Sequence, residues 1–544
     1  MCMISRLGVE DRNFNNIKIA QQKQMQDSKN PNFKGGGVVW TALLAGIQEC
    51  EKNPMINVAV IDLLSAILPR TFIESLTNWF AGFEAFRRES SGLIVNCLIP
   101  SLITFTAALG LNKLIMPKGV KMADCWADST LIKRATETYT ESNSSNKVKD
   151  VLKDILGNVE GFHGDKKIIY KEALSEGELE KYADDLAKLS EKNLSRKELN
   201  KEIKKITEKI VEKTHVFDNI KVGGSGQEVK ASTLNTLLQD TVKYFKEYKH
   251  AGKELSIADY AKKSKKLVKT KSIMGMAIIL PLAASMQYIN RYITEKMSGV
   301  KGAPIYDDFG KEQNEAVKQQ SKEGLLKQKM ISISSMLAVG LASMMKMPKW
   351  NMFEFKGWFP TMDQARIIST TTFASRMAVA DDKNELAEAT VRDIATFISL
   401  YFLGDYAAKA TATAIQKKTG IQLLNGEKAP KDANIFKKFW HWMKNVSIKS
   451  SEEVVSKTAE ELKGKTPTSA QKATIEKEIK RAVNLRSACQ AANLGVSLVL
   501  LGLVIPFFTR NNTKKKHAEQ LKIAQEQSLN TGSTDTVVAN KITA

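Results

Sequence analysis

Two stretches of this chain carry charge patterns suited to chemistry in apolar surroundings. The first runs E-A-F-R-R-E-S-S-G-L-I-V-N-C-L-I-P from Glu84 to Pro100. The second, a weaker copy, runs E-A-T-V-R-D-I-A-T-F-I-S-L-Y-F-L-G from Glu388 to Gly404. Each opens on Glu-Ala, places an Arg four residues after the Glu (Arg88, Arg392) and sets an acid beside it (Glu89, Asp393). A Glu and an Arg one helical turn apart can pair, and a charge-assisted pair is strong where water is scarce. Glu84, Arg88, Glu388 and Arg392 are therefore candidates for a polar site, and the commoner use of such groups is to fix helix positions. Asp62, Asn96 and Asp405 are the other polar groups in apolar surroundings; inside a membrane such groups are functional candidates by default.

Other chemistry is poorly represented. The histidines (His163, His215, His250, His441, His517) are scattered through polar stretches, with no HExxH pair and no G-x-S-x-G elbow. His163, in Gly-Phe-His-Gly-Asp, reads as a loop residue. The cysteines (Cys2, Cys50, Cys97, Cys125, Cys489) form no C-x-x-C pair, which argues against a disulfide framework or a structural zinc site and for reduced thiols. Lys221-Val222-Gly223-Gly224-Ser225-Gly226 marks a turn; no Gly-Lys-Ser/Thr follows, so it is not a phosphate loop. No catalytic residue, cofactor or metal is expected.

The charge points to a surface partner. A formal charge of +22 favours anionic lipid headgroups or nucleic acid. The basic residues are mostly Lys, with only 14 Arg, and they are spread along the chain. Bidentate reading of phosphates and bases prefers Arg, so nucleic acid is the weaker reading and lipid the stronger. The cluster Lys262, Lys263, Lys265, Lys266, Lys269 and Lys271 directly precedes an uncharged run and reads as a headgroup contact.

The elements that must position these groups are helical. Residues 1–35 are a polar N-terminal segment, followed by a short helix at Val38–Gln48. Region 36–121 holds membrane-associated helices, the first collar and a first span, Gly92–Leu111. Met55–Leu68 is too short to cross a bilayer, and Pro69 is expected to stop it. Residues 71–91, with Ile73, Leu76, Phe80, Phe83 and Phe86 at helical spacing, read as one helix in the interface plane. Residues 122–270 form a Lys/Glu-rich soluble helical insert with capping boxes at Ser175–Glu178 and Ser195–Glu198. Within it the stripe Leu199, Ile203, Ile206, Ile210 is expected to pair with the helix of Leu234, Leu238, Val242 and Phe245.

Region 271–410 holds two spans (Ile273–Met286, Met330–Met345) and the second collar, which Asp381-Asp382 precedes as a turn or cap. The aromatics Trp350, Phe353, Phe355, Trp358 and Phe359 between them suggest interfacial anchoring. Residues 411–486 are polar and helical, with Trp440 and Trp442 near a possible surface contact. Region 487–510 is a C-terminal span and 511–544 a disordered tail.

The expected fold is thus all-α: a polytopic helical membrane protein with a soluble helical insert, integral to a plasma or inner membrane. The N-terminus lacks the apolar core of a signal peptide. Three spans start between the collars, which would set the second collar on the opposite membrane face, as in the inverted repeats of transporters. The leading function is a non-enzymatic scaffold or assembly factor that contacts anionic lipid and, through its helices, a partner protein or itself. One alternative is a transporter or channel with a polar site between inverted repeats; another is a soluble helix-rich protein.

Overall fold

Proline inside an apolar run normally ends a helix, and here Pro69, Pro100, Pro281 and Pro506 do not. The computed structural model describes residues 54–224, 228–251, 254–299, 324–344, 350–430, 432–463 and 469–542. The polar segment 1–35, the helix at Val38–Gln48 and the middle of the 290–329 connection lie outside them. The described residues are mostly helical, with few strands.

In order, the elements are α1 (Pro54–Asp62), α2 (Leu68–Ser75), α3 (Trp79–Leu93), α4 (Ile99–Ile115), α5 (Ser129–Glu141) and α6 (Lys147–Gly157). Then come β1 (Val159–His163), β2 (Lys166–Ile169), α7 (Tyr170–Ala173), α8 (Glu176–Glu191), α9 (Arg196–Thr214), β3 (Asp218–Val222) and β4 (Val229–Thr233). They are followed by α10 (Leu234–Ala251), α11 (Ile257–Ser298), α12 (Leu325–Ser343), α13 (Met362–Val379), α14 (Lys383–Ile398) and α15 (Gly404–Thr419). The last are β5 (Leu424–Gly426), α16 (Ile435–Asn445), β6 (Val446–Ile448), α17 (Ser451–Lys463), α18 (Ser469–Ser497) and α19 (Ile505–Ile542).

Wide π turns join α1 to α2 (Leu63–Ile67), α3 to α4 (Ile94–Leu98), α14 to α15 (Ser399–Leu403) and α18 to α19 (Leu498–Val504). In three of the four, a proline follows the turn's last residue by two: Pro69, Pro100 and Pro506. A proline lacks the N–H for the carbonyl four residues back, and its ring crowds that carbonyl. Here that carbonyl belongs to Ser65, Asn96 or Gly502, each inside the widened turn, where the ladder has already shifted register.

The helices therefore run on. Met55–Ser75 is a continuous helix of 21 residues and Trp79–Ile115 one of 37, so Pro69 does not stop its helix. Ile257–Ser298, Leu325–Ser343 and Ile475–Ile523 complete five helices long and apolar enough to cross a membrane. The single interfacial helix expected at 71–91 is instead broken at Leu76–Asn78. There Asn78 caps α3 by accepting from the Ala81 amide at 2.7 Å. The tail expected to be disordered from 511 continues α19 to Ile542.

The chain divides into two compact units. One holds 58–140, 243–405 and 493–544. In it α11 packs on α4 and α13, α12 on α13, α14 on α19, and the first π turn on the last. A side chain at Gly502 would place its Cβ 2.8 Å from the Ser65 carbonyl oxygen, so only glycine allows that crossing. Two apolar cores form, around Val95, Met276, Ile279 and Ile368, and around Met336, Met377, Leu386 and Phe397.

The other unit holds 141–242 and 406–492, with residues 54–57. It contains what the sequence did not suggest: an antiparallel four-stranded sheet, in the order β2-β1-β3-β4, with Val159 opposite Val222 and Asp218 opposite Thr233. Strands of four or five residues are too short for alternation to stand out among Lys/Glu-rich helices. His163 is accordingly the last residue of β1, before Gly164 turns the hairpin at φ +64°. Both capping boxes form as expected. The stripe of α9 packs chiefly on α8 and α17 rather than on α10.

Candidate functional site

The two collars meet. Glu84, Arg88 and Glu89 lie on α3, and Glu388, Arg392 and Asp393 on α14, all buried. Each arginine grips its neighbours in the same way. Arg88 Nη1 lies 2.9 Å from Glu84 and its Nε 3.4 Å from Glu89. Arg392 Nη1 lies 3.3 Å from Glu388 and its Nε 3.4 Å from Asp393. Arg376 of α13 joins the pairs, with Nη1 2.7 Å from Asp393 and 3.4 Å from Glu89. Arg70 of α2 reaches Glu89 at 3.6 Å and donates to Thr396. Arg510 of α19 pairs with Glu74 and donates to Thr77.

The balance is even: Arg70, Arg88, Arg376, Arg392 and Arg510 against Glu74, Glu84, Glu89, Glu388 and Asp393, all ten buried. Even balance is what a low-dielectric interior demands, since an unpaired buried charge is prohibitively costly. Four atoms remain without a hydrogen-bond partner: Arg70 Nε, Arg376 Nε, Glu388 Oε2 and Asp393 Oδ2.

The sequence offered two placements: one polar site or ion-pair network shared by the collars or, if three spans intervene, collars on opposite membrane faces. Here one network holds both collars through Arg376. Arg70, Glu74 and Arg376 were missed. The available signal was that Arg70 and Glu74 stand one turn apart on α2, while Arg376 is a lone charge in the Ser/Thr-rich second half of α13. Asp382, by contrast, caps α14 as expected, accepting from the Asn384 and Glu385 amides at 2.7 and 2.9 Å.

The remaining candidates divide. Half-buried Asp62 ends α1 within electrostatic reach of Arg70, Arg376 and Glu89. Asn96 lies in the second π turn, where its Oδ1 accepts from Thr372 Oγ1 at 3.2 Å. Asp405 is exposed in the first turn of α15, away from an apolar interior.

In the lysine cluster, Lys262, Lys266 and Lys269 are exposed and Lys263 and Lys265 half-buried. Lys271 is fully buried; its Nζ donates to the Cys125 carbonyl at 2.9 Å and lies 4.2 Å from the Trp126 ring centre. It cannot touch headgroups, because its place on α11 turns it inward. The aromatics after α12 also turn partly inward. Phe355 is fully buried in the core with Val95 and Met276, and Trp358 packs on Phe105 at 4.6 Å.

Two open grooves, of about 440 and 450 Å³, lie along α19 (Val504, Phe507, Phe508) and α12 (Lys327, Met330, Ile331). Neither is lined by a network residue. No group of three or more His, Cys, Asp or Glu suited to a metal occurs among the described residues.

Together these features define a class: a helical protein with charge paired in its interior and apolar side chains outside. Comparison with protein families, curated proteins and solved structures finds no match to this chain in any of the three.

Proposed function

We propose that this chain is an integral, multi-pass protein of a plasma or inner membrane that acts without catalysis, as a scaffold or assembly factor. The observation that carries this reading is inverted polarity. The ten charged side chains of the network are buried while Leu102, Leu341 and Phe508 on the candidate spans are 64%, 59% and 68% exposed. Water would penalise that surface; acyl chains welcome it. A balanced ion-pair network fixes helix register in hydrocarbon, where burial of apolar surface no longer drives helix association. The exposed lysines of α11 suit anionic headgroups, and the open groove on α12 suits a partner helix or a second copy.

Fractionation of the full-length protein tests this. Retention through carbonate and high-salt washes supports integral insertion. Release by salt alone, or recovery in the soluble fraction, overturns it.

A second reading, a transporter, draws support from one feature. The unmet Glu388 Oε2 and Asp393 Oδ2 are acceptors beside helices interrupted by π turns, the setting in which transporters hold cations or protons. Proton or cation flux in proteoliposomes that disappears in Glu388→Gln would favour it over the scaffold.

A further inference from the structure

Helix α16, Ile435–Asn445, reads IFKKFWHWMKN and contains no buried residue. Its eleven residues extend about 16 Å, far too short to cross a bilayer. At 100° per residue, Ile435, Phe439, Met443, Phe436 and Trp440 fall on one contiguous face with Trp442 at its edge. Met443 and Trp442 are half-buried, and the rest of the face is exposed. Ile435 and Phe436 are both 84% exposed, Phe439 55% and Trp440 53%. Lys444 and Lys437 flank it on one side and Lys438 on the other, and the helix has no acid.

The helix is fixed at both ends. Asn434 caps it by accepting from the Lys437 amide at 2.8 Å. Lys409 Nζ donates to the Met443 carbonyl at 3.1 Å, and the Trp442 ring sits 6.4 Å from that of Tyr406. A short helix is thus held in shape with a bare aromatic face and a lysine rim.

We propose that α16 is an in-plane membrane anchor that seats Phe436, Phe439 and Trp440 at the acyl boundary of an anionic leaflet. Three features select lipid over a protein groove. Trp is favoured at headgroup level, and Trp and Phe make the apolar face of helices that lie in the interface plane. The rim is wholly cationic, which complements phosphatidylglycerol or phosphatidylserine without the acid–base register a protein partner would imprint. Lys437, Lys438 and Lys444 have stems long enough to snorkel from the same plane. The seating goes beyond the scaffold role and does not depend on whether the five long helices span.

The test uses the full chain with Cys2 and Cys50 changed to Ser and a nitroxide attached at Phe436→Cys. It is mixed with vesicles of phosphatidylcholine containing a minority of phosphatidylglycerol. Relaxation by oxygen and by an aqueous nickel chelate is then compared. The expected result is an oxygen-rich, nickel-protected signal. That signature should be lost in Lys437→Glu/Lys438→Glu/Lys444→Glu and in vesicles of phosphatidylcholine alone. A probe as open to nickel with vesicles as without them overturns the anchor. So does a probe immobilised before lipid is added, which means a protein occupant.

A second probe, at Leu341→Cys on α12, separates this from the spanning reading. Leu341 embedded with Phe436 in water sinks the anchor alone. Phe436 embedded with Leu341 in water supports the anchor and sinks the spans.

Discussion

Two sites, one in each unit, bury acid in different ways. Around α3 and α14, carboxylates are met almost wholly by arginine side chains. In the unit that carries the sheet, Glu453 is 1% exposed and is met mainly by backbone. Its Oε1 accepts from the Phe217 and Asp218 amides at 2.9 and 3.2 Å. Its Oε2 accepts from the Ser450 amide at 3.3 Å and from Asn425 Nδ2 at 2.8 Å. The reason is topological. A long helix spends its amides on its own carbonyls, so charges buried between such helices can be neutralised only by other side chains. Where strands and loops end, free amides remain and can solvate an acid. The first device rests on counter-charge; the second rests first on backbone donors, with the buried Lys449 ammonium adding a lesser share.

The sharpest way to break that contrast is to remove one counter-charge. Arg376→Ala leaves Glu89 and Asp393 short of a partner and should cost about 3–5 kcal/mol. It should be read as a large drop in the thermal midpoint of the purified full-length protein. Arg376→Met combined with Asp393→Leu should regain most of the loss, since an apolar pair of similar size needs no compensation. No recovery would mean that the network does more than balance charge.

In the other unit, Glu453→Ala chiefly frees backbone donors. The expected cost is smaller, roughly 2–3 kcal/mol, and local. Hydrogen exchange should speed at the Phe217, Asp218 and Ser450 amides. Unchanged exchange there would remove the contrast.

Acid response sharpens it further. His163, half-buried with its ring 5.3 Å from that of His215, is held down to about 4 by burial, with Lys449, Lys457 and His215 adding to the effect. Its folded value lies below the unfolded value of about 6.5. Its contribution is therefore complete above pH 6.5 and is lost as pH falls toward 4. The loss is roughly 2 kcal/mol after allowance for partial exposure. His163→Phe should flatten this limb in a pH series of unfolding midpoints; an unchanged limb would assign the acid response elsewhere.

Asp218 runs the other way. Burial and the neighbouring Glu453 carboxylate raise its carboxyl well above the usual range. It favours the folded chain at low pH and loses that contribution as pH rises through the folded value. The smallest effect belongs to the exposed lysines: Lys266→Gln should move stability by less than about 0.5 kcal/mol while reducing salt-sensitive attachment to anionic vesicles.

Much of this chain was legible before any coordinates. Apolar length and helical spacing mark the long helices, because a 3.6-residue period is local. The boxes at Ser175 and Ser195 mark helix starts, because a cap is a four-residue device. The collars stood out for a similar reason, as a Glu and an Arg one turn apart announce their pairing. What the sequence could not specify was the company they keep. Arg70, Arg376 and Arg510 lie on other helices, hundreds of residues from some of their partners, and only packing brings them together. The prolines misled for a related reason. Whether Pro69 ends a helix depends on whether the turn before it widens, and the packing of the first π turn on the last, through Gly502, accompanies that choice. Short strands escaped because pairing, not composition, makes a strand. Local periodicity and capping were thus the sequence's own doing; which charges neutralise which, and which apolar faces stay bare, was decided by the tertiary structure, since burial and counter-charge exist only between elements.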